Sequence, residues 1–118
     1  MTRVLIAYED SHRSYGEALA GAVRGLRPDI DLSLVQTRDF VPEVARFDPH
    51  LVICNRPGAV EPDGEIAWVG LSDEPGEPSV ACVGGHCRSI QNPDLGDLLA
   101  VIDEAEGLVR GGSNPRGR

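Results

Sequence analysis

Two adjacent carboxylates, Glu9 and Asp10, follow the apolar run RVLIAY, and Asn55 and Arg56 follow a second apolar run, LVIC. Carboxylates clustered at the end of a strand are oxygen donors of the kind Mg²⁺ takes one or two of while keeping several waters. Phosphoryl transfer onto a side chain needs more: an anionic acceptor and a cation for the developing charge. The amide of Asn55 offers neither charge nor nucleophile. All 11 basic residues are Arg, so chemistry that needs a Lys amine, including a Schiff base, is excluded. Ser72, which ends IAWVGLS, and Asn92, before Pro93, add polar groups. No nucleophile and base pair is legible among these residues, so the chain is expected not to be an enzyme and to use no cofactor.

Sulfur chemistry has one candidate segment. In VACVGGHC, Cys82, His86 and Cys87 could offer soft metal ligands or a reactive thiol, but the second paired ligand motif of a zinc site is missing. The expectation is a tight turn with a Cys on either side and no metal. With Cys54 the cysteines form an odd set without CxxC spacing, which predicts reduced, mostly buried thiols. His50 is expected at a strand edge, and Trp68, the only tryptophan, in the middle of a core strand.

These residues need elements to position them. RVLIAY, residues 3–8, is too short for a helix and suits a central parallel strand covered on both faces. After the capping candidates Asp10 and Ser11, Tyr15, Ala18, Leu19, Ala22, Val23 and Leu26 recur at helical spacing, and Gly25 and Pro28 close the pattern. Residues 30–36 alternate as a half-buried edge strand does. A short helix capped by Asp39 follows, with Phe40, Val44 and Phe47 on its apolar face, and Leu51 to Cys54 make a third strand. Strands alternating with helices predict an α/β fold with a mainly parallel open sheet.

The second half is less regular. Residues 66–72 and 79–83 read as strands, yet only DEPGEP separates them, and a parallel crossover needs about a dozen residues or more. An antiparallel hairpin is expected, with one further short strand at Cys87 to Gln91. Asn92, Pro93 and Asp94 supply a cap and first turn, and Leu95, Leu98, Leu99, Ile102, Ala105 and Val109 the apolar face of a last helix. Residues 1–109 form one domain, and 110–118, RGGSNPRGR, hold too little apolar surface to order and are expected to be a disordered tail.

Bulk properties narrow the function classes. The 118 residues, 41% hydrophobic, fit one core. A formal charge of −8 repels a phosphate backbone, so direct nucleic-acid binding is not expected. No apolar run approaches the roughly 20 residues of a membrane span. The chain is expected to be soluble and cytoplasmic.

RVLIAYEDSHRSYGEAL is similar to the opening of a response-regulator receiver domain, with Gly16 where that family places a Gly in its first helix. DPHLVICNRPG, residues 48–58, resembles the family's Asp-Pro, apolar strand, phosphoacceptor and Pro-Gly pattern, with Asn55 on the acceptor position. The resemblance places Tyr8 and Glu9 on the metal-binding acid pair, with Asp10 next in register, Ser72 on the switch hydroxyl and Asn92 on the switch lysine. It implies a flavodoxin-like scaffold, with the hairpin in place of the fourth helix, whose phosphorylation site has degenerated. The function expected on that basis is phosphorylation-independent regulation or signalling through contact with a protein partner or a second copy. DSHRSYG also resembles the DxHxxG element of cobalamin-binding flavodoxin-like domains, one residue too long between His12 and Gly16. Apart from that element, the alternative function is a small-molecule-binding domain of flavodoxin-like type, with Glu9, Asp10, Asn55, Arg56 and Ser72 gathered at the carboxyl ends of the strands.

Overall fold

The structure is a computed structural model that describes residues 2–54, 66–72 and 76–112. Asn55 and Arg56 lie outside the described residues, as do residues 113–118. The described residues form one six-stranded sheet and three α-helices. The strands are β1 (Arg3–Tyr8), β2 (Asp31–Gln36), β3 (Leu51–Cys54), β4 (Ala67–Gly70), β5 (Ser79–Val83) and β6 (His86–Ile90). The helices are α1 (Arg13–Leu26), α2 (Phe40–Phe47) and α3 (Leu95–Gly112).

Strand order across the sheet is β2-β1-β3-β4-β5-β6. The first four strands are parallel, whereas β4 with β5 and β5 with β6 are antiparallel. The hairpin that the short DEPGEP connection demands is therefore present, and a second one follows it. Gly84 and Gly85 turn the chain from β5 to β6 with φ of 62° and 84°, a left-handed pair that suits a tight two-residue connection.

The core follows from alternation along β1 and β3. Val4, Ile6, Leu51 and Ile53 face α1 and α3, meeting Leu19, Ala20 and Val23 from the first helix and Leu98, Val101, Ile102 and Ala105 from the last. Leu5, Ala7, Val52 and Cys54 face the other way, toward Phe40, Val44 and Phe47 of α2. Each Val, Leu or Ile among them contributes roughly 1.5–3 kcal/mol when fully buried.

Helix α1 is rotated from the stripe its larger apolar residues predict. It buries Gly16, Leu19, Ala20 and Val23, while Tyr15 and Leu26 stay 46% and 50% exposed. Gly16 favours this seating: a Cβ there would stand 3.1 Å from Tyr8 Cβ, a crowded contact that would push the helix away from β1 by a few tenths of an ångström.

Helix starts also differ from expectation. Asp10 and Ser11 do not cap α1; Asp10–His12 form a 3-10 turn, and the Asp10 carboxylate accepts from Gln36 Nε2 at 3.1 Å instead. Asp39 precedes α2 without a side-chain cap. At α3 the capping residue is Asp94. Its Oδ1 accepts from the Asp97 N–H (2.9 Å), and Asp97 Oδ2 accepts from the Asp94 N–H (3.0 Å), a reciprocal capping box. The helix runs to Gly112, past the boundary that composition alone draws at residue 110, since extending a formed helix costs little compared with starting one. No helix among the described residues is long and apolar enough to cross a membrane.

At the amino ends of the parallel strands, the Arg3 N–H donates to His50 Nδ1 at 2.9 Å, and Arg3 Nε donates to the Asp48 carbonyl at 2.7 Å. Partial burial, and then the charge of Arg3, hold the His50 imidazole below its ordinary pKa of 6.5. The folded chain thus binds fewer protons here than the unfolded chain, so this contribution to stability is complete above pH 6.5 and is lost as pH falls toward the lowered folded value. Urea melts between pH 7 and 5 should show a decline in this window that His50→Gln flattens. A second pair of variants tests the seating of α1. Gly21 has open space around it, so Gly21→Ala should stabilise by roughly 0.5–1 kcal/mol, whereas Gly16→Ala should destabilise because crowding costs about 1–3 kcal/mol.

Candidate functional site

The carboxyl ends of β1, β3 and β4 lie side by side, since Ala7, Cys54 and Gly70 share one register across the three strands. The Leu71 N–H donates to the Cys54 carbonyl at 2.7 Å and carries the β4 backbone one step past its strand. Glu9 and Asp10 after β1 and Ser72 after β4 therefore lie along the same rim of the sheet, as the parallel arrangement requires.

Two depressions open along that rim. The smaller, about 160 Å³, is lined by Tyr8, Glu9, Asp10, Gln36, Thr37 and Arg38. The larger, about 420 Å³, is lined by His12 and Tyr15 from the start of α1, by Leu71, Ser72 and Ser79 from the β4–β5 connection, and by Asn92 and Pro93 before α3. The set expected at the rim is thus divided. Glu9 and Asp10 share the first depression, Ser72 and Asn92 the second, and Asn55 and Arg56 fall outside the described residues.

The first depression is ionic, with two carboxylates and the guanidinium of Arg38 around it. The second has no carboxylate among its described lining residues. It combines an imidazole, a phenol, an amide and two hydroxyls with the apolar walls of Leu71 and Pro93. Burial alone raises the Tyr15 phenol above its ordinary pKa of 10.0, so it remains a neutral donor at physiological pH. Asn92 enters with a left-handed backbone, φ 44°, a conformation that Asn tolerates better than most residues.

Ser79 organises this second depression. It is only 1% exposed, and its Oγ accepts from the Ser72 N–H at 2.9 Å, which holds the two ends of the β4–β5 connection together. Reading the sequence for functional residues missed Ser79 and Tyr15. Tyr15 looks like one more residue of an apolar helix face, and Ser79 acquires its partner only when the hairpin closes.

The cysteines overturn one expectation. Cys82 and Cys87 are not reduced thiols but form a disulfide, because the Gly-Gly turn brings their Cα atoms to 4.0 Å as a cross-strand pair. Cys54 is buried and not part of a disulfide, and burial pushes its thiol up to about 12. His86 cannot join the two sulfurs, since it neighbours Cys87 along β6 and alternation sends it to the opposite face. Among the described residues no group of three or more His, Cys, Asp or Glu side chains is placed to hold a metal ion.

Ser79→Ala should cost about 1–3 kcal/mol, because it leaves the Ser72 N–H without its buried acceptor. Urea melts measure the loss, and amide exchange should speed up at Ser72 beyond the general change.

Comparison of the chain with protein-family models, with curated proteins and with solved structures found no match.

Proposed function

We propose that the chain is a receiver-like regulatory module that has given up phosphoryl transfer and acts through contact with a protein partner or a second copy of itself. The observation that carries this reading is the combination of strand order and missing chemistry. The order 2-1-3-4-5 of the first five strands is that of flavodoxin-like folds, receivers included, although β5 here runs antiparallel. The sequence resemblance puts Asn55 at the acceptor position and Asn92, which here follows β6 and not β5, at that of the switch lysine, and no Lys exists anywhere in the chain. An amide cannot attack phosphorus, and no ammonium is available to the transferred group. Contact with another protein is supported by β6, an edge strand with no pairing partner on its outer side among the described residues. Such an edge presents backbone donors and acceptors in a row.

A second reading is favoured by the larger depression. Its volume of about 420 Å³ falls in the range of roughly 300–1,000 Å³ usual for small-ligand sites, and polar groups converge on apolar walls as they do in such sites. On this reading His12, Tyr15, Ser72 and Asn92 would bind a small polar molecule, and binding would take the place of phosphorylation as the input.

Incubation with acetyl phosphate and Mg²⁺, followed by intact-mass measurement, should give no phosphoryl adduct; an acid-labile adduct within residues 48–58 would overturn the proposal. Sedimentation and NMR separate the two readings. A concentration-dependent dimer with an interface above about 1,000 Å² favours the first. Saturable shifts of His12 and Tyr15 signals in a metabolite titration favour the second.

A further inference from the structure

We propose that the Cys82–Cys87 pair is a thiol–disulfide exchange site, at which a low-molecular-weight thiol or dithiol attacks the sulfur of Cys87, the exposed residue of the pair. A row of residues crosses the sheet to this pair. Leu5, Val52, Trp68, Cys82 and Cys87 are register partners on successive strands, so all five project from the same face. Along the row Leu5 and Val52 are wholly buried, Trp68 is half-buried and Cys82 is 7% exposed, whereas Cys87 on the edge strand is exposed. The disulfide therefore joins a buried residue of an inner strand to an exposed residue of the edge strand.

Access decides which sulfur a thiolate can reach. Val80 and Ser89, the pair next to the cysteines on this face of β5 and β6, carry no charge to repel an incoming anion. The thiolate sulfur bonds to Cys87 Sγ, the Cys82–Cys87 bond breaks, and the electron pair leaves on Cys82 Sγ, which takes up a proton. A second thiol group then attacks the small molecule's sulfur in the mixed disulfide and releases Cys87 as a thiolate. In balance, two small-molecule thiol groups are oxidised to one disulfide, and the protein disulfide gains two electrons and two protons.

The bond is not what aligns the two strands. It joins residues only five apart, and closing so short a loop removes less unfolded-state entropy than closing a long one. Five register pairs and the left-handed turn at Gly84 and Gly85 hold β5 to β6 without it. Reduction thus leaves the ladder in place and changes the local surface beside Trp68, which is the behaviour of a reversible site and not of a staple.

The test is graded reduction of the native, full-length chain with dithiothreitol or glutathione, followed by iodoacetamide and intact mass. Both Cys82 and Cys87 should become labelled together while buried Cys54 does not, the far-UV circular dichroism should hold, and oxidised reagent should reverse the change. Trp68 emission should rise as the neighbouring disulfide, a quencher of indole fluorescence, is opened. The choice of sulfur is read from single variants. With oxidised glutathione, the free Cys87 of Cys82→Ser should form the mixed disulfide about tenfold or more faster than the shielded Cys82 of Cys87→Ser. Three results would overturn the proposal: labelling that appears only with Cys54 and loss of dichroism, a pair that stays reduced under oxidised reagent, or equal rates in the two variants.

Discussion

Two-sided burial of β1 and β3 is the constraint on which the other elements depend. Alternate residues of these strands project to opposite faces, and nearly all of them are apolar, so neither face can be left to water. Satisfying one face requires both α1 and α3; satisfying the other requires α2. The requirement also explains the asymmetry of the sheet. Strand β2, with its alternating DLSLVQ, tolerates a half-exposed edge, and β6, HCRSI, is almost wholly exposed at the other.

Legibility in the sequence tracked the range of the forces involved. Strand positions and the antiparallel hairpin could be read because both depend on short segments: the first on alternation over a few residues, the second on a connection too short to cross the sheet. The rotation of α1 could not be read in this way. It rests on the approach of Gly16 to Tyr8, and residue-by-residue hydrophobicity gives most weight to Tyr15 and Leu26, which remain exposed. Capping failed for a related reason. Asp10 has the right chemistry for a cap, but the Gln36 amide, 26 positions away, claims its carboxylate. Of the candidate site, Glu9, Asp10, Ser72 and Asn92 were legible as strand-end or loop polar residues. Their division between two depressions was not, because it depends on where α1 and the β4–β5 connection come to rest.

The last helix is held from two sides by guanidinium groups. Arg27, just after α1, donates through Nε and Nη2 to both oxygens of Asp103 at 2.9 Å each, and Arg88 of β6 donates to both oxygens of Glu104 at 3.1 and 2.6 Å. These hydrogen bonds lower both carboxyl pKa values below their ordinary range. Being largely exposed, the pairs orient the helix more than they stabilise the fold. Their planar, two-pronged geometry suits Arg and would be lost with Lys, so the all-Arg composition has a use at these two places.

The turn at Gly84 and Gly85 has a consequence for the order of events in time. Pairing β5 with β6 asks only that residues a few positions apart meet, and isolated hairpins of this kind close in about 1–10 μs. The parallel contacts of β1 with β2 and β3 must wait for chain ends tens of residues apart to find one another, a slower search in which loop-closure entropy precedes any reward. The β5–β6 hairpin is therefore available early, as a preformed unit onto which the slower sheet assembles.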